Sequence, residues 1–320
     1  MLTPNYNVSP FDNPGYAQVV QPGKLTFGLV FPIEAYKGDM PTMQDQVELA
    51  QYADQNGFSS LCFRDVPLRD PSFEDIGQVF DPWVYLGYIT AQTQKIALMT
   101  TSLITTLRHP IHTAKAAASV DQLSGGRLLL GLATGDRPLE YPAFNIDFEN
   151  RGEVFQEHFE LIQQYWSTSF ETISSSYGHM RKADLVPKPV ASRVPMFVTG
   201  HSQNSLDWIA QHADGWITYG RDPYRQQLVM REWKQALERQ VGGQFKPFLQ
   251  AMSLDLQPNP DVLPHPIHGG YMIGRNSLIG VLQDLQELGV NHVAFGLKYS
   301  SRPAKEVLQE LVEYVLPQFK

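Results

Sequence analysis

Polar and charged residues cluster where short apolar runs stop. Arg64-Asp65 follows Ser60–Phe63, Thr100-Thr101-Ser102 closes the run that begins at Ile96, and Thr134-Gly135-Asp136-Arg137 follows Leu128–Ala133. Further on, Gly200-His201-Ser202-Gln203-Asn204-Ser205 follows Pro195–Thr199, and Tyr219-Gly220-Arg221-Asp222 closes the run from Gly215. The stretch LLLGLA at 128–133 has no polar face, so it reads as a strand buried on both sides. A buried strand that stops in small, hydroxyl-bearing and charged residues presents a ligand site on a rigid base. These ends carry hydroxyls, glycines and a few charges, and they lack the close His/Asp/Glu set of a metal site.

HPIH occurs at His109–His112 and again at His265–His268. The histidine spacing suits two metal ligands on one helical turn. The intervening proline disfavours that helix and no carboxylate adjoins either copy, so no metal is expected. There is no Gly-x-Ser-x-Gly elbow, which argues against Ser202 as a nucleophile. There is no P-loop lysine and no G-x-G-x-x-G, which argues against a nucleoside triphosphate and a Rossmann-type NAD site. TGHSQNSLDW, at 199–208, has two readings. Its free N–H groups and hydroxyls make an anion site where a helix opens, or Ser202 or Ser205 is a plain helix cap. Arg64 and Asp65 likewise either serve the site or pair as ordinary surface ions. Cys62 reads as core packing, as do Trp83, Trp166 and Trp208 at apolar helical positions.

A regular alternation positions these ends. Strand patterns at Leu25–Phe31, Ser60–Phe63, Ile96–Thr101, Leu128–Ala133, Pro195–Thr199, Gly215–Tyr219, Phe248–Leu256 and His292–Leu297 are each followed by a helical pattern. Such a series calls for a parallel sheet covered by helices, and in 320 residues for a (β/α)8 TIM barrel. An open doubly wound sheet is the runner-up. In a barrel the chemistry sits at the carboxyl ends of the strands, where the polar clusters lie. Residues 1–24, rich in Pro, Asn and Gly, read as an N-terminal arm, and 25–320 as a single barrel domain. Residues 169–193 break the rhythm before the fifth strand and read as a hairpin or irregular insertion, of a length that is usually functional or covers a site. A net charge of −8 argues against nucleic acid. No apolar run approaches a membrane span. The single cysteine excludes an intramolecular disulfide. With no secretory signal pattern, a cytoplasmic protein is expected; a secreted protein without disulfides is the alternative.

The order of motifs resembles the bacterial luciferase-like flavin monooxygenases, nearest their luciferase-type oxidoreductase branch. The resemblance rests on LRHPIHTAKAAASVDQLSGGR, on LLLGLATGDRPLEYPAFNIDFENRGEVFQEHFELIQQYW after it, and on LVPKPV and VPMFVTGHSQNSLDWIAQHADGW. RDVPLRDPSF, GQVFDPW and GVLQDLQELGVNHVAFGL also fit. The resemblance implies a (β/α)8 barrel with an insertion before the fifth strand, often dimeric. It implies reduced FMN, or in some branches a deazaflavin, at the strand ends. Thr100, Thr101 and Ser102 would then flank the flavin ring, with Thr134, Gly135 and Asp136 beside it. Gly200, His201, Ser202, Asn204 and Ser205 would hold the phosphate. The cysteine and arginine of the luciferase alpha chain are absent, Ala133 and Thr134 standing in their places, so Arg137 or Arg221 is expected to supply the phosphate arginine. Arg64-Asp65 stands where that chain has a histidine. Arg64 is expected to anchor an anionic substrate or steady the peroxide, and Asp65 and His201 to transfer protons. The implied function is monooxygenation of a small organic substrate by reduced FMN and dioxygen, with a separate flavin reductase as partner and a homodimer as the assembly. A deazaflavin- or NADPH-linked reductase and a non-catalytic flavin-binding protein are the alternatives. Small residues in YLGYITA and AAAS would let early helices pack closely in that dimer.

Overall fold

The structure is a computed structural model that describes residues 12–21 and 23–319. Its strands are β1 (Thr26–Val30), β2 (Ser60–Phe63), β3 (Ala97–Ile104), β4 (Leu128–Ala133), β5 (Ile173–Ser175), β6 (Gly178–Met180), β7 (Met196–Thr199), β8 (Gly215–Tyr219), β9 (Phe248–Leu256), β10 (His265–Ile267), β11 (Gly270–Ile273) and β12 (His292–Gly296). Its helices are α1 (Pro14–Val19), α2 (Gln46–Gln55), α3 (Pro82–Gln92), α4 (Pro110–Ser124), α5 (Glu140–Ala143), α6 (Arg151–Ser167), α7 (Leu206–His212), α8 (Pro223–Val241), α9 (Arg275–Leu288) and α10 (Ala304–Glu310). Strands β1, β2, β3, β4, β7, β8, β9 and β12 pair in that order, all parallel, and β12 returns to β1. This closed ring is the expected (β/α)8 barrel, with the expected strand–helix units displaced by a few residues at their ends.

Alternation along each strand sorts the core into two shells. Outward residues such as Phe27, Leu29, Leu61, Leu98, Leu130 and Phe295 pack against the helices. Inward residues Cys62, Ala97, Met99, Leu129, Phe197, Ile217, Leu249 and Ala294 fill the barrel. The base of the barrel is closed by α1, which places Tyr16 and Val19 in that inner cluster. Residues 12–21 of the expected arm are therefore part of the core, and residues 1–11 lie outside the described residues. A helix of six residues is marginal by itself. Burial of Tyr16 and Val19, capping by Asn13 and a bond from Thr26 Oγ1 to Val19 O explain why it forms here.

The SGGR motif docks this plug. Gly125 and Gly126 end α4 in the left-handed region, and Gly15 N–H donates to Gly126 O at 3.1 Å. A Cβ on Gly15 would fall 2.4 Å from Arg127 O, so only glycine admits the contact. Arg127 is buried and donates to carbonyls of Thr90, Thr93, Ile96 and Ser124, stitching the end of α3 to the start of β4. The segment before the fifth barrel strand forms the β5–β6 hairpin, with Tyr177 edge-on to His158 of α6 at 4.5 Å. A second hairpin, β10–β11, follows the seventh barrel strand and extends the sheet beyond β9. The second HPIH forms β10 and its turn. In the first, His109 caps α4 through its Nδ1. Among the described residues no group of His, Cys, Asp and Glu could hold a metal ion.

Candidate functional site

Burial along the barrel strands locates an open cup. The strands are buried along their length, and exposure returns at inward positions of their carboxyl ends: Val30, Thr101, Ala133, Thr199, Tyr219, Ser253 and Gly296. The outward neighbours Leu103, Leu132, Leu254 and Phe295 stay buried. A barrel closed below by α1 and open above thus presents a concave floor to solvent. Tyr219 is 64 % exposed, yet Arg64, Asp136, Asp75 and Arg137 all act on its phenol. It therefore stands within a concave mouth that is open to solvent. Burial raises the Tyr219 pKa, and Arg64 pulls it back down.

The loop after β2 organises the charges on one side. Arg64 Nη1 donates to Asp75 Oδ2 at 2.5 Å, and Tyr36 Oη donates to Asp75 Oδ1 at 2.7 Å. Burial opposes ionisation of Asp75, but Arg64, the Tyr36 hydroxyl and the Gly77 N–H outweigh it and hold the carboxyl below its usual range. Arg137 Nη2 donates to the Asp75 carbonyl at 2.6 Å, with its guanidinium 4.5 Å over the Phe73 ring. Lys298, beyond β12, donates to Glu74 O and lies near the Tyr36 and Tyr299 rings. Asp65, one residue from Arg64, points the other way. Its side chain is 1 % exposed and accepts from Arg108 Nε at 3.0 Å, Arg108 Nη2 at 2.9 Å and Ile104 N at 3.0 Å. Burial pushes its pKa up and Arg108 pulls against it. Such a carboxylate ties the ends of β2 and β3 together and is shielded from solvent.

The other side of the mouth is the turn after β7. Gly200, Ser202 and Gln203 are in the left-handed region, at φ of +59°, +46° and +59°. Backbone N–H groups of His201, Ser202 and Gln203 form no hydrogen bond among the described residues. Thr199 Oγ1 is buried without a partner, and space is open where a Cβ on Gly200 would point. Unpaired N–H groups of successive residues in such a turn are the donor set of an anion nest. The side chains here serve the fold: Ser202 Oγ donates to Thr199 O, Asn204 Nδ2 to Ser202 O, and Ser205 Oγ caps α7. His201 is exposed, its ring 5.5 Å from that of Trp216.

The remaining expected residues divide. Thr101 and Ser102, joined by a cis peptide, are half-buried at the cup edge. Thr100 is fully buried and paired to Gly131 of β4 through both its donor and its acceptor. Thr134 is buried, and its carbonyl accepts from Thr106 and Tyr141. Gly135 has φ +87°, but its Cβ position meets Ile104, so the close approach is to β3. Asp136 is exposed. Arg221 donates to Tyr219 O, and among the described residues no hydrogen bond joins it or Arg137 to the Gly200–Ser205 turn. Tyr36 and Asp75 are not among the expected site residues. Tyr36 stands just past the first strand, where the strand-end rule would find it. Asp75 lies in an aperiodic loop that marks no single residue.

The chain belongs to the luciferase-like monooxygenase family, whose model matches residues 25–252. An uncharacterized protein of Mycobacterium tuberculosis (strain H37Rv) is 28 % identical over 221 residues, covering 69 % of this chain and 70 % of that protein. Among solved structures, an F420-dependent secondary alcohol dehydrogenase in complex with an F420-acetone adduct aligns with a TM-score of 0.76 at 19 % identity, over 93 % of this chain and 99 % of that one. The oxygenating constituent of 3,6-diketocamphane monooxygenase from Pseudomonas putida, in complex with FMN, aligns with a TM-score of 0.73 at 13 % identity, over the same 93 % and 99 %. At such identities the likeness is one of fold.

Proposed function

We propose that the protein oxygenates a small organic substrate with reduced FMN and dioxygen. The observation that carries this reading is the Gly200–Gln203 turn, with its three unpaired N–H groups, at the rim of an open barrel cup. The donor set suits a phosphate monoester, because backbone N–H groups donate without needing a counter-charge. These N–H groups would hold the FMN phosphate, and Thr101, Ala133 and Thr199 would form the floor beneath the flavin. Bound reduced FMN supplies the electron pair and the reaction with dioxygen. The protein's part is to bind, to orient and to shield. The closed base and apolar barrel interior keep water out from below. His201, exposed beside the nest, is placed to pass a proton to or from the substrate.

Reducing equivalents come from a separate flavin reductase in this reading, since the sequence carries no dinucleotide fingerprint. Fluorescence titration with FMN, FAD and F420 tests the cofactor, and FMN is expected to bind tightest. Oxygen uptake on mixing with reduced FMN, faster than for free flavin when substrate is present, tests the reaction. Tighter F420 binding would replace oxygenation with hydride transfer. FMN binding with no catalysed uptake across a substrate panel would make the protein a flavin binder.

A further inference from the structure

The charged side of the cup is more specific than a flavin site requires. Arg64 is 26 % exposed at its side chain and held on two sides. Asp75 fixes Nη1, and the stem rests on Gly77, where a Cβ would come within 3.2 Å of Arg64 Cβ and 3.5 Å of Nε. Its Nε and Nη2 make no hydrogen bond among the described residues. Arg137, 5 % exposed, is tied by Nη2 to the carbonyl of the same Asp75, and its Nη1 is buried without a partner. Two guanidinium groups from different strand ends thus meet on one loop, Arg64 on the Asp75 carboxylate and Arg137 on its backbone carbonyl, and among the described residues no other carboxylate bonds to either. Unpaired buried donors are costly, and a fixed guanidinium fork matches a carboxylate in shape and charge. The charge around the pair is mixed: Asp70 and Glu140 interact with Arg137 and Asp136 with Tyr219, but among the described residues none of the three bonds to either guanidinium.

The walls around these cations are aromatic. Tyr219 is 64 % exposed and close enough to Arg64 to feel its charge, and Tyr299 is 38 % exposed. Tyr36 and Tyr299 both lie near Lys298 Nζ, at 5.1 and 5.6 Å from their ring centroids. Exposed tyrosine rings favour a flat, apolar partner that stacks or meets them edge-on.

We propose that the cup takes an aromatic carboxylate, its carboxylate received by Arg64 with Arg137 behind it and its ring set among Tyr36, Tyr219 and Tyr299. That this ligand is the substrate rests on the oxygenase reading above; the binding site does not depend on it.

Benzoate is the probe, with benzamide as its uncharged analogue and cyclohexanecarboxylate as its non-planar one. Calorimetric titration of the whole protein, without flavin and then with FMN, measures all three. Benzoate is expected to bind about tenfold or more tighter than benzamide, the worth of a charge-assisted hydrogen bond, and several-fold tighter than cyclohexanecarboxylate. Arg64→Ala is expected to remove that preference and leave benzamide affinity unchanged, which also shows that the variant is folded. Arg64→Lys, which keeps the charge and loses the fork, falls between. Benzamide binding as well as benzoate overturns the proposal, as does an Arg64→Ala protein that still prefers benzoate. A matching loss of FMN affinity in Arg64→Ala would assign Arg64 to the flavin and overturn it too. Benzoate binding in a protein that binds no FMN would leave this proposal standing and remove the oxygenase reading.

Discussion

Ser202 separates two ways of holding a phosphate. Its φ of +46° places it in the turn, and its hydroxyl donates to Thr199 O at 2.8 Å. A hydroxyl so engaged leaves the backbone N–H as the donor for an anion. Ser202→Ala is therefore expected to change FMN affinity only slightly. Ser202→Glu brings a carboxylate to the nest. Like charges about 4 Å apart repel by roughly 1 to 4 kcal/mol, depending on the local dielectric. FMN affinity should fall about tenfold or more, while riboflavin, which lacks the phosphate, is little affected. Fluorescence quenching with both ligands reads the difference, and an equal loss for both places the phosphate elsewhere. Arg64 carries the neighbouring expectation. If it meets substrate, Arg64→Ala lowers turnover with the melting temperature and flavin affinity intact, and a lowered melting temperature at unchanged rate makes it structural.

At the level of elements, α4 is joined to the segment that carries the β5–β6 hairpin by a buried acid. Asp121 is 0 % exposed, its Oδ2 accepts from Val190 N at 2.8 Å, and the Leu128 N–H also acts on its carboxyl. Burial pushes its carboxyl up to about 6. The unfolded value is about 3.9. A raised acid favours the folded state below the unfolded value, and that contribution is lost as pH rises through the folded one. The difference corresponds to roughly 3 kcal/mol. Asp121→Asn keeps an acceptor for Val190 and cannot ionise. The stability of wild type relative to Asp121→Asn, from urea unfolding, is expected to fall as pH rises from about 4 to about 7. A pH-independent difference would mean that Asp121 titrates normally. The α1 plug offers a second test. Gly15→Ala drives a methyl into Arg127 O and should cost about 1 to 3 kcal/mol, the usual penalty for overpacking. An unchanged urea midpoint would show that the plug does not contribute to stability.

For the whole molecule, the outer face of α3 is apolar, with Leu123 of α4 the exposed large hydrophobic of the neighbouring helix. Val84 is 72 % exposed, Tyr88 53 % and Leu123 75 %, with the small residues Gly87 and Ala91 beside Tyr88 on α3. We propose that two copies pair across this face, with the small residues allowing close approach of helices. Light scattering at micromolar concentration should return a dimer, and Val84→Glu should return a monomer with an unchanged far-ultraviolet circular dichroism spectrum. A monomeric wild type refutes the pairing. Among the described residues no helix is long and apolar enough to cross a membrane.

The barrel was legible in the sequence because its signals are local. Runs such as Leu128–Ala133 and the alternation of strand and helix patterns depend on near neighbours, and the structure keeps them. The strand-end rule also led to the turn at Gly200–Ser205 and to Arg64. Tertiary structure decided what each strand-end side chain does. Arg64 and Asp65 are equally polar neighbours, but closure of the ring turns one into the cup and the other onto Arg108. Arg137 meets the Asp75 carbonyl across 62 residues, and Tyr36 meets the Asp75 carboxylate across 39. The α1 plug takes its shape from Tyr16 and Val19 reaching the barrel floor. Helix and strand patterns need only the chain beside them. Partners of charged side chains depend on which distant loops the closed barrel brings together, and one sequence read alone does not carry that distance.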